Sequence, residues 1–134
     1  MLYLGADHAG FSQKEALKRE LGKGGIAFVD MGTHSKQPVD YPLIVARVIQ
    51  KMNRHFDRAI ILCGSGEGVV IAANKYKGIR AALCWDEKVA KETREDNDSN
   101  ALAIPSRHVT SAQAIAIAKM WLATPFSGLP LVLC

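Results

Sequence analysis

The stretch ILCGSGEG (61–68) combines a cysteine, a serine and three alternating glycines, which are residue types that can hold an anion and move a proton. Alternating glycines let successive backbone N–H groups turn towards one point, and a helix that begins there adds positive potential. In such surroundings the pKa of Cys63 is expected to fall below its ordinary value of about 8.5, which makes it a candidate base or nucleophile. The spacing is neither a dinucleotide fingerprint, because the third glycine comes one residue early, nor a Walker loop, because no GK[ST] follows. An ordinary tight turn behind a small buried cysteine is the alternative.

Polar residues also follow two other apolar runs of the sequence. Asp7 and His8 come directly after LYLGA (2–6), and they could form an acid–imidazole pair where Gly10 permits the chain to turn. The alternative is that Asp7 caps a helix and leaves His8 exposed. Arg107 closely follows the run ALAI, at a position where an arginine could meet a phosphate, and a surface arginine is the alternative.

The segment DNDSN (96–100) is unusually polar and lies directly before an apolar run. Val89, Thr93, Asp96 and Asn97 recur at helical spacing and therefore share one face of a predicted helix. Because that face begins with an apolar residue, it could point inwards and carry Asp96 and Asn97 towards the sheet. The residue types alone favour the alternative, a capping and turn segment.

Short apolar runs alternate with longer amphipathic stretches along the whole chain, which predicts one α/β domain over residues 1–134. The expected architecture is a Rossmann-like three-layer α/β/α fold with a five-stranded parallel sheet, because the strands lack the polar alternation of a sheet with one solvated face. Ligands bind at the carboxyl ends of the strands in such sheets, so we expect the three polar groups there. The first two groups would come together if strands one and three are neighbours. The predicted strands cover 2–7, 26–30, 58–63, 79–84 and 101–104, and the predicted helices cover 11–22, 41–52, a short segment after the glycines, 86–96 and 110–124.

The last predicted helix, 110–124, is apolar almost all round and must therefore be covered. A subunit interface is the expected cover, and a helix buried deeply within its own chain is the alternative.

Composition narrows the class of protein. The net charge of +4 is small and dispersed, which argues against a nucleic-acid partner. Neither a signal peptide nor a membrane span is expected from the sequence, and the three cysteines show no disulfide spacing. The four histidines have no metal-ligand spacing. We therefore expect a cytoplasmic protein without a metal or other cofactor and without a membrane partner.

Several stretches, taken in order, resemble the family of ribose-5-phosphate isomerase B and galactose-6-phosphate isomerase. Each piece alone is a weak signal, but their combination is specific and covers the chain to about residue 126. The matching stretches are GADHAGF (5–11), VDYP (39–42), ILCGSGEGVVIAANKYKGIRAALC (61–84), NDSNALAI (97–104) and SR (106–107).

The resemblance implies a metal-independent aldose–ketose isomerase of the pentose phosphate pathway, which converts ribose 5-phosphate to ribulose 5-phosphate through a cis-enediolate. It also implies a homodimer or tetramer whose sites lie at the dimer interface and draw on two subunits. Some members use a glutamate base shortly after the loop, where this chain has Val69, so cysteine is the expected base. The implied catalytic residues are Cys63 as base and Ser65 as proton carrier, and the implied substrate contacts are Asp7, His8, Tyr41, Gly64, Gly66, Glu67, Gly68, Asn97 and the phosphate-binding Arg107.

Two departures from the family pattern leave alternatives open. Many members have a ring-opening histidine where this chain has Asp96, so Asp96 and His8 are both candidates for that step. A segment rich in histidine and arginine usually follows the PFSG-like turn, and this sequence reads LPLVLC (129–134). The alternatives are a sugar-phosphate binding protein or inactive partner subunit, and an isomerase of a six-carbon sugar phosphate. A nucleotide-binding flavodoxin-like domain is disfavoured by the missing fingerprints.

Overall fold

The computed structural model describes residues 1–128, in which five parallel strands form one sheet between two layers of helices. The predicted α/β class and parallel sheet are confirmed, and each predicted strand and helix is present near its expected place. In chain order the elements are β1 (Leu2–Ala6), α1 (Phe11–Lys23), β2 (Phe28–Asp30), α2 (Tyr41–Lys51), β3 (Arg58–Cys63), α3 (Glu67–Ala73), β4 (Ala81–Leu83), α4 (Glu87–Asn97), β5 (Ala101–Pro105) and α5 (Ser111–Ala123).

The strand order is β2-β1-β3-β5-β4, so β1 and β3 are neighbours, which is the condition for the first two polar groups to meet. The three central strands are almost wholly buried, because helices cover both faces of the sheet. The two edge strands are shorter than predicted, since 26–30 and 79–84 reduce to three residues each. Each edge strand pairs with a single neighbour, and fewer backbone hydrogen bonds therefore hold its ends.

The two faces of the sheet carry separate cores. Helices α1, α4 and α5 cover one face, whose core centres on the fully buried Trp121. Helices α2 and α3 cover the other face. Side chains alternate along β3, so Leu62 enters the first core and Cys63 enters the second. The thiol of Cys63 therefore lies on the α2–α3 face at the edge where the strands end, which we call the carboxyl edge.

The last helix, α5, packs one face against its own chain. Ala114, Ile117 and Trp121 are buried on this face against α1 and α4. Ile115 and Met120 also pack against this core, but they are only half-buried. Intrachain packing thus accounts for one face of α5, and the predicted subunit contact remains a prediction. The segment LPLVLC lies outside the described residues.

None of the helices in the described part of the chain is both long enough and apolar enough to cross a membrane.

Candidate active site

Cys63 and Asp7 meet at the carboxyl edge because they end two neighbouring strands. The thiol of Cys63 donates a hydrogen bond to Oδ2 of Asp7, with a sulfur–oxygen distance of 3.2 Å. Oδ1 of Asp7 accepts a hydrogen bond from the backbone N–H of Gly10 at 2.9 Å. Both side chains are buried, with 6% of Cys63 and 8% of Asp7 exposed. The site therefore contains a proton donor and a proton acceptor already in contact.

The predicted fall in the pKa of Cys63 is wrong. Burial, together with the neighbouring Asp7 carboxylate, raises the pKa of Cys63 to about 11. The backbone amides of Gly64 and Gly66 lower this pKa, as the sequence predicts, but their effect is smaller. Cys63 is therefore a neutral thiol at pH 7 in the unliganded protein. The other described cysteine, Cys84, is a buried core residue whose pKa burial raises to about 12.

The glycine loop turns as the sequence predicts and begins helix α3. Gly66 has a φ of +76°, which an L side chain rarely adopts, and a Cβ there would lie 2.5 Å from the Leu83 side chain. A Cβ on Gly68 would lie 2.6 Å from the ring of Tyr41, so this glycine admits the tyrosine to the loop. Ser65 is exposed, and its hydroxyl accepts a hydrogen bond from the N–H of Glu67 at 3.3 Å.

Arg107 lies against the same loop. Its backbone N–H donates to the carbonyl of Gly64 at 3.0 Å. A Cβ on Gly64 would stand 2.8 Å from Nη1 of Arg107, so the guanidinium lies directly over this glycine. The Arg107 side chain is exposed to solvent and free to meet an anion. The structure thus places the predicted phosphate-binding arginine beside the predicted anion-holding amides.

His8 and Tyr41 border a cavity that Asp7 also lines. The cavity has a volume of about 560 Å³ and is lined by Asp7, His8 and residues 39–43. Nδ1 of His8 accepts a hydrogen bond from the N–H of Val39 at 3.3 Å, which leaves Nε2 as the protonated nitrogen of the neutral ring. Tyr41 begins α2 and is partly exposed. The cavity is large enough for a small sugar phosphate.

Asp96 and Asn97 do not lie at this edge, which corrects the prediction for the segment 96–100. They end α4, which runs antiparallel to the strands and returns the chain to the edge where strands begin, here called the amino edge. The carbonyl of Asn100 accepts a hydrogen bond from Ala59, four residues and about 13 Å from Cys63 along β3. Asp96 is exposed instead of facing the sheet, and Asn97 is half-buried. Within one chain neither residue meets Cys63.

Sequence reasoning missed two polar groups on the buried face of α1. Nε2 of Gln13 donates to the backbone carbonyls of Ser106 at 3.2 Å and Val109 at 2.8 Å, and so anchors the segment that carries Arg107. Gln13 stands four residues before the buried Leu17, on the same helix face. The position of Gln13 on the same helix face as the apolar Leu17 and Leu21 was the sequence signal that could have predicted its burial.

The second missed group is an ion pair behind the Asp7 loop. Lys14 is fully buried, and its Nζ lies 2.6 Å from Oδ2 of Asp30. Oδ1 of Asp30 accepts a hydrogen bond from the N–H of Gly32, whose carbonyl in turn accepts from the N–H of Ala6. The ion pair therefore ties the loop after β2 to the end of β1, directly before Asp7.

This arrangement of side chains can move a proton to and from a small anion. It offers a thiol–carboxylate pair, the backbone amides of Gly64 and Gly66 beside the thiol, and the exposed guanidinium of Arg107. Within residues 1–128 no three His, Cys, Asp or Glu side chains come together as metal ligands.

Comparisons with known proteins agree on one family. A sequence profile described as Ribose/Galactose Isomerase matches residues 2–130. The Escherichia coli K12 protein named ribose-5-phosphate isomerase B is 38% identical over 125 residues, which cover 92% of this chain and 84% of that protein. The crystal structure of a ribose 5-phosphate isomerase from Thermotoga maritima matches with a TM-score of 0.91 and 41% identity, over 96% of this chain and 90% of that one. A Mycoplasma genitalium ribose-5-phosphate isomerase B with bound ribulose 5-phosphate matches with a TM-score of 0.89 and 34% identity, over 95% and 86% of the two chains.

Proposed function

The chain belongs to the ribose/galactose isomerase family, and on that premise we propose that it interconverts ribose 5-phosphate and ribulose 5-phosphate. The observation that carries the proposal is the hydrogen bond between Cys63 and Asp7, beside a loop of amides and an arginine. The names of the relatives and the ribulose 5-phosphate bound by one of them support the choice of sugar.

The proton path begins with the pair already in contact. Asp7 accepts the thiol proton and leaves a thiolate on Cys63. The thiolate removes the proton from C2 of the open-chain aldose, which gives an enediolate and restores the thiol. The thiol then returns the proton to C1, and Asp7 gives its proton back to the sulfur. Each proton is accounted for, and no oxidant or metal takes part.

The oxygens of the substrate need their own partners. We propose that the amides from Gly64 to Gly68 stabilise the charge that develops on the enediolate oxygen, as preorganised donors do in other anion holes. The exposed hydroxyl of Ser65 carries the proton from O2 to O1. His8 is the candidate for ring opening that the chain of Cys63 itself supplies, because it borders the cavity beside Asp7, whereas Asp96 can act there only from a second copy.

The remaining contacts need two subunits in this proposal. Arg107 binds the phosphate from the same chain as Cys63. Asn97 and Asp96 reach the site from a second copy, since the amino edge of their own chain holds them away from Cys63. Side chains of α5 that its own chain covers only in part, such as Ile115 and Met120, contribute to the interface. The assembly is a homodimer or a tetramer of such dimers.

The test is a direct assay of ribose 5-phosphate isomerisation with EDTA present. Cys63→Ala should lower kcat by a factor of about 10² to 10⁴, because it removes the general base. Cys84→Ala is the matched control, since it removes an equally buried thiol away from the site and should keep kcat near the wild-type value. Full activity of Cys63→Ala would exclude the cysteine mechanism.

The choice of sugar has a separate test in the same assay. Ribose 5-phosphate should give a higher kcat/KM than allose 6-phosphate or galactose 6-phosphate. A preference for a six-carbon sugar would correct the substrate while it keeps the reaction. Absence of turnover with all three sugars, together with saturable binding, would identify a binding protein.

A further inference from the structure

A second charged cavity lies at the amino edge, at the opposite end of β3 from Cys63. It has a volume of about 150 Å³, and four arginine side chains converge on it. A neighbouring cavity of about 410 Å³ shares several of its residues, adds Lys77 and opens the site to solvent. At about 30 Å³ for each water, the inner space fits a tetrahedral oxyanion with attached waters. The arginines are Arg54, Arg58, Arg80 and Arg94.

The positive charge of this cavity exceeds the negative charge that faces it. Asp98 is shared between Arg80 at 3.3 Å and Arg94 at 2.9 Å. Asp57, the other acid of the lining, is held by the amino terminus at 2.9 Å. Four guanidinium groups therefore face two carboxylates, one of which is occupied by a fifth cation. His55 adds a further positive charge whenever it is protonated.

The guanidinium groups are fixed in place by the fold. Arg94 is 4% exposed and donates to the carbonyls of Thr124 and Ser99. Nη1 of Arg58 donates to the carbonyl of Leu122 at 3.1 Å, and Nη1 of Arg54 donates to that of Lys77. Each of the four groups keeps at least one nitrogen with no hydrogen-bond partner among residues 1–128. The cavity thus presents guanidinium N–H groups that are held in place and are available to bind an anion.

Like charges held this close are costly unless an anion joins them. Burial and the neighbouring Arg94 both lower the pKa of Arg58, which reflects the uncompensated charge. Arginine forks suit phosphate oxygens better than any other side chain, because they offer paired donors in one plane.

We propose that the amino-edge cavity is a binding site for a phosphate-type oxyanion, either free phosphate or the phosphate group of a small metabolite. The site lies at the opposite edge of the sheet from the thiol–carboxylate pair of its own chain and does not depend on the proposed isomerase activity. Arg94 and Arg80 also anchor the end of α4, through Asp98 and the carbonyl of Asn97. An anion bound here would therefore stiffen the segment that the proposed function assigns to the partner's site.

Trp121 gives a local readout of this cavity. The guanidinium carbons of Arg58 and Arg94 lie 5.6 Å and 5.9 Å from the centre of its ring. An anion that binds the Arg58 guanidinium changes its contact with the Trp121 ring and hence the fluorescence emission of Trp121. The second tryptophan, Trp85, is 55% exposed, and Trp85→Phe removes its signal.

The experiment titrates inorganic phosphate into the Trp85→Phe protein, with chloride at matched ionic strength as the salt control. We expect a saturable change in Trp121 emission and a rise in Tm. Arg58→Gln and the less buried Arg54→Gln should each weaken binding at least about tenfold, the effect of losing one charge-assisted hydrogen bond. Arg19→Gln, an exposed arginine on α1, is the matched control and should bind like the wild type.

Arg107→Gln separates this site from the candidate active site, because it removes the arginine beside Gly64 and should leave the Trp121 response intact. Glycerol 3-phosphate in place of phosphate distinguishes a metabolite from the free ion by its affinity. The proposal fails if phosphate produces no saturable change, if chloride produces the same change, or if Arg107→Gln abolishes the response while Arg58→Gln keeps it.

Discussion

The carboxylate of Asp7 divides its two oxygens between a thiol and a backbone amide. One oxygen accepts from Cys63 and the other fixes the turn at Gly10. Because the pKa of Cys63 is raised to about 11, the thiolate must be made during the reaction and is not stored beforehand. An internal acceptor solves this problem, since transfer to Asp7 changes no net proton count.

The first prediction is a pH profile. If Asp7 takes the thiol proton, kcat/KM stays flat across neutral pH, because the resting and reactive states hold the same number of protons. Asp7→Asn should lower kcat/KM at pH 7 by a factor of about 10² to 10⁴ and make it rise about tenfold per pH unit, since the thiol must then ionise to solvent. Asp40→Asn, an exposed acid of the same cavity, should leave the flat profile unchanged. A wild-type profile that already rises tenfold per unit would exclude Asp7 as the acceptor.

Single residues also show where sequence reasoning reached its limit. The sequence allowed us to predict that Cys63, Asp7 and Arg107 lie at strand ends, because each stands at or just after the end of an apolar run. The direction of the pKa shift of Cys63 was not, since it depends on burial and on a contact between residues 56 positions apart. The backbone amides that lower the pKa of Cys63 could be inferred from the sequence. The burial that raises this pKa by more could not.

At the scale of elements, the start of α1 is set by the close approach of Gly10 to β3. A Cβ on Gly10 would lie 2.1 Å from the backbone carbonyl oxygen of Leu62, which the sheet holds in place. The pairing of β1 with β3 places Asp7 beside Cys63, and the turn at Gly10 holds the Asp7 carboxylate there through its backbone N–H.

The second prediction therefore concerns Gly10→Ala. It should destabilise the protein by about 3 kcal/mol or more, because a backbone clash cannot be relieved by a rotamer change. Gly22→Ala is the matched control within the same helix, where a Cβ would meet nothing within 4 Å, and it should stabilise by about 0.5–1 kcal/mol. Urea unfolding of both variants measures the two effects, and equal stability of the two would refute the close-approach argument.

The third prediction concerns acid stability through the Lys14–Asp30 pair. Burial alone would raise the pKa of Asp30, but hydrogen bonds from Lys14, Lys18 and the N–H of Gly32 outweigh it and lower this pKa to about 2. A lowered pKa means that the folded state favours the carboxylate. Its contribution, about 2 kcal/mol, is therefore present above pH 4 and is lost as the pH falls from about 4 to 2.

Asp30→Asn should remove this acid dependence and destabilise at pH 7 by up to about 3 kcal/mol, because the buried Lys14 then keeps only Glu15, at 3.1 Å, as a carboxylate partner. Glu20→Gln alters an exposed ion pair on the same helix and should change stability little. The measurement is the free energy of unfolding of the wild type and both variants from pH 2 to pH 7. An unchanged acid slope in Asp30→Asn would show that other groups produce it.

The order of elements followed from hydrophobic periodicity, whereas the placement of Asp96 and Asn97 needed the path of the chain. Every helix of a parallel α/β fold runs back along the sheet, so a segment that directly precedes a strand lies at the amino edge. The polar segment 96–100 was placed among the ligand-binding ends because of its polar residues and the helix face that Asp96 and Asn97 share with Val89 and Thr93. Because this segment leads directly into β5, its place at the amino edge could have been predicted from the order of the elements.

For the whole molecule, the main feature is that Asn97 and Cys63 lie at opposite edges of the sheet within one chain. Two edges of one sheet cannot close on one small sugar, so the proposed site is completed only when the amino edge of one copy meets the carboxyl edge of another. Activity then depends on assembly as well as on folding, and specific activity should fall when dilution separates the subunits.

The fourth prediction follows from this division of the site between two copies. Cys63→Ala and Asn97→Ala should each be nearly inactive as homodimers, because every site lacks one group. After subunit exchange at equal concentrations, half of the dimers are mixed and one of their two sites is intact, so about a quarter of the wild-type activity should return. The matched control mixes Cys63→Ala with Ser65→Ala, whose lesions lie in the same half of the site, and should recover no activity. Recovery in the control, or none in the first mixture once exchange is shown by mass, would mean that Asn97 does not complete a partner's site and that one chain carries the reaction alone.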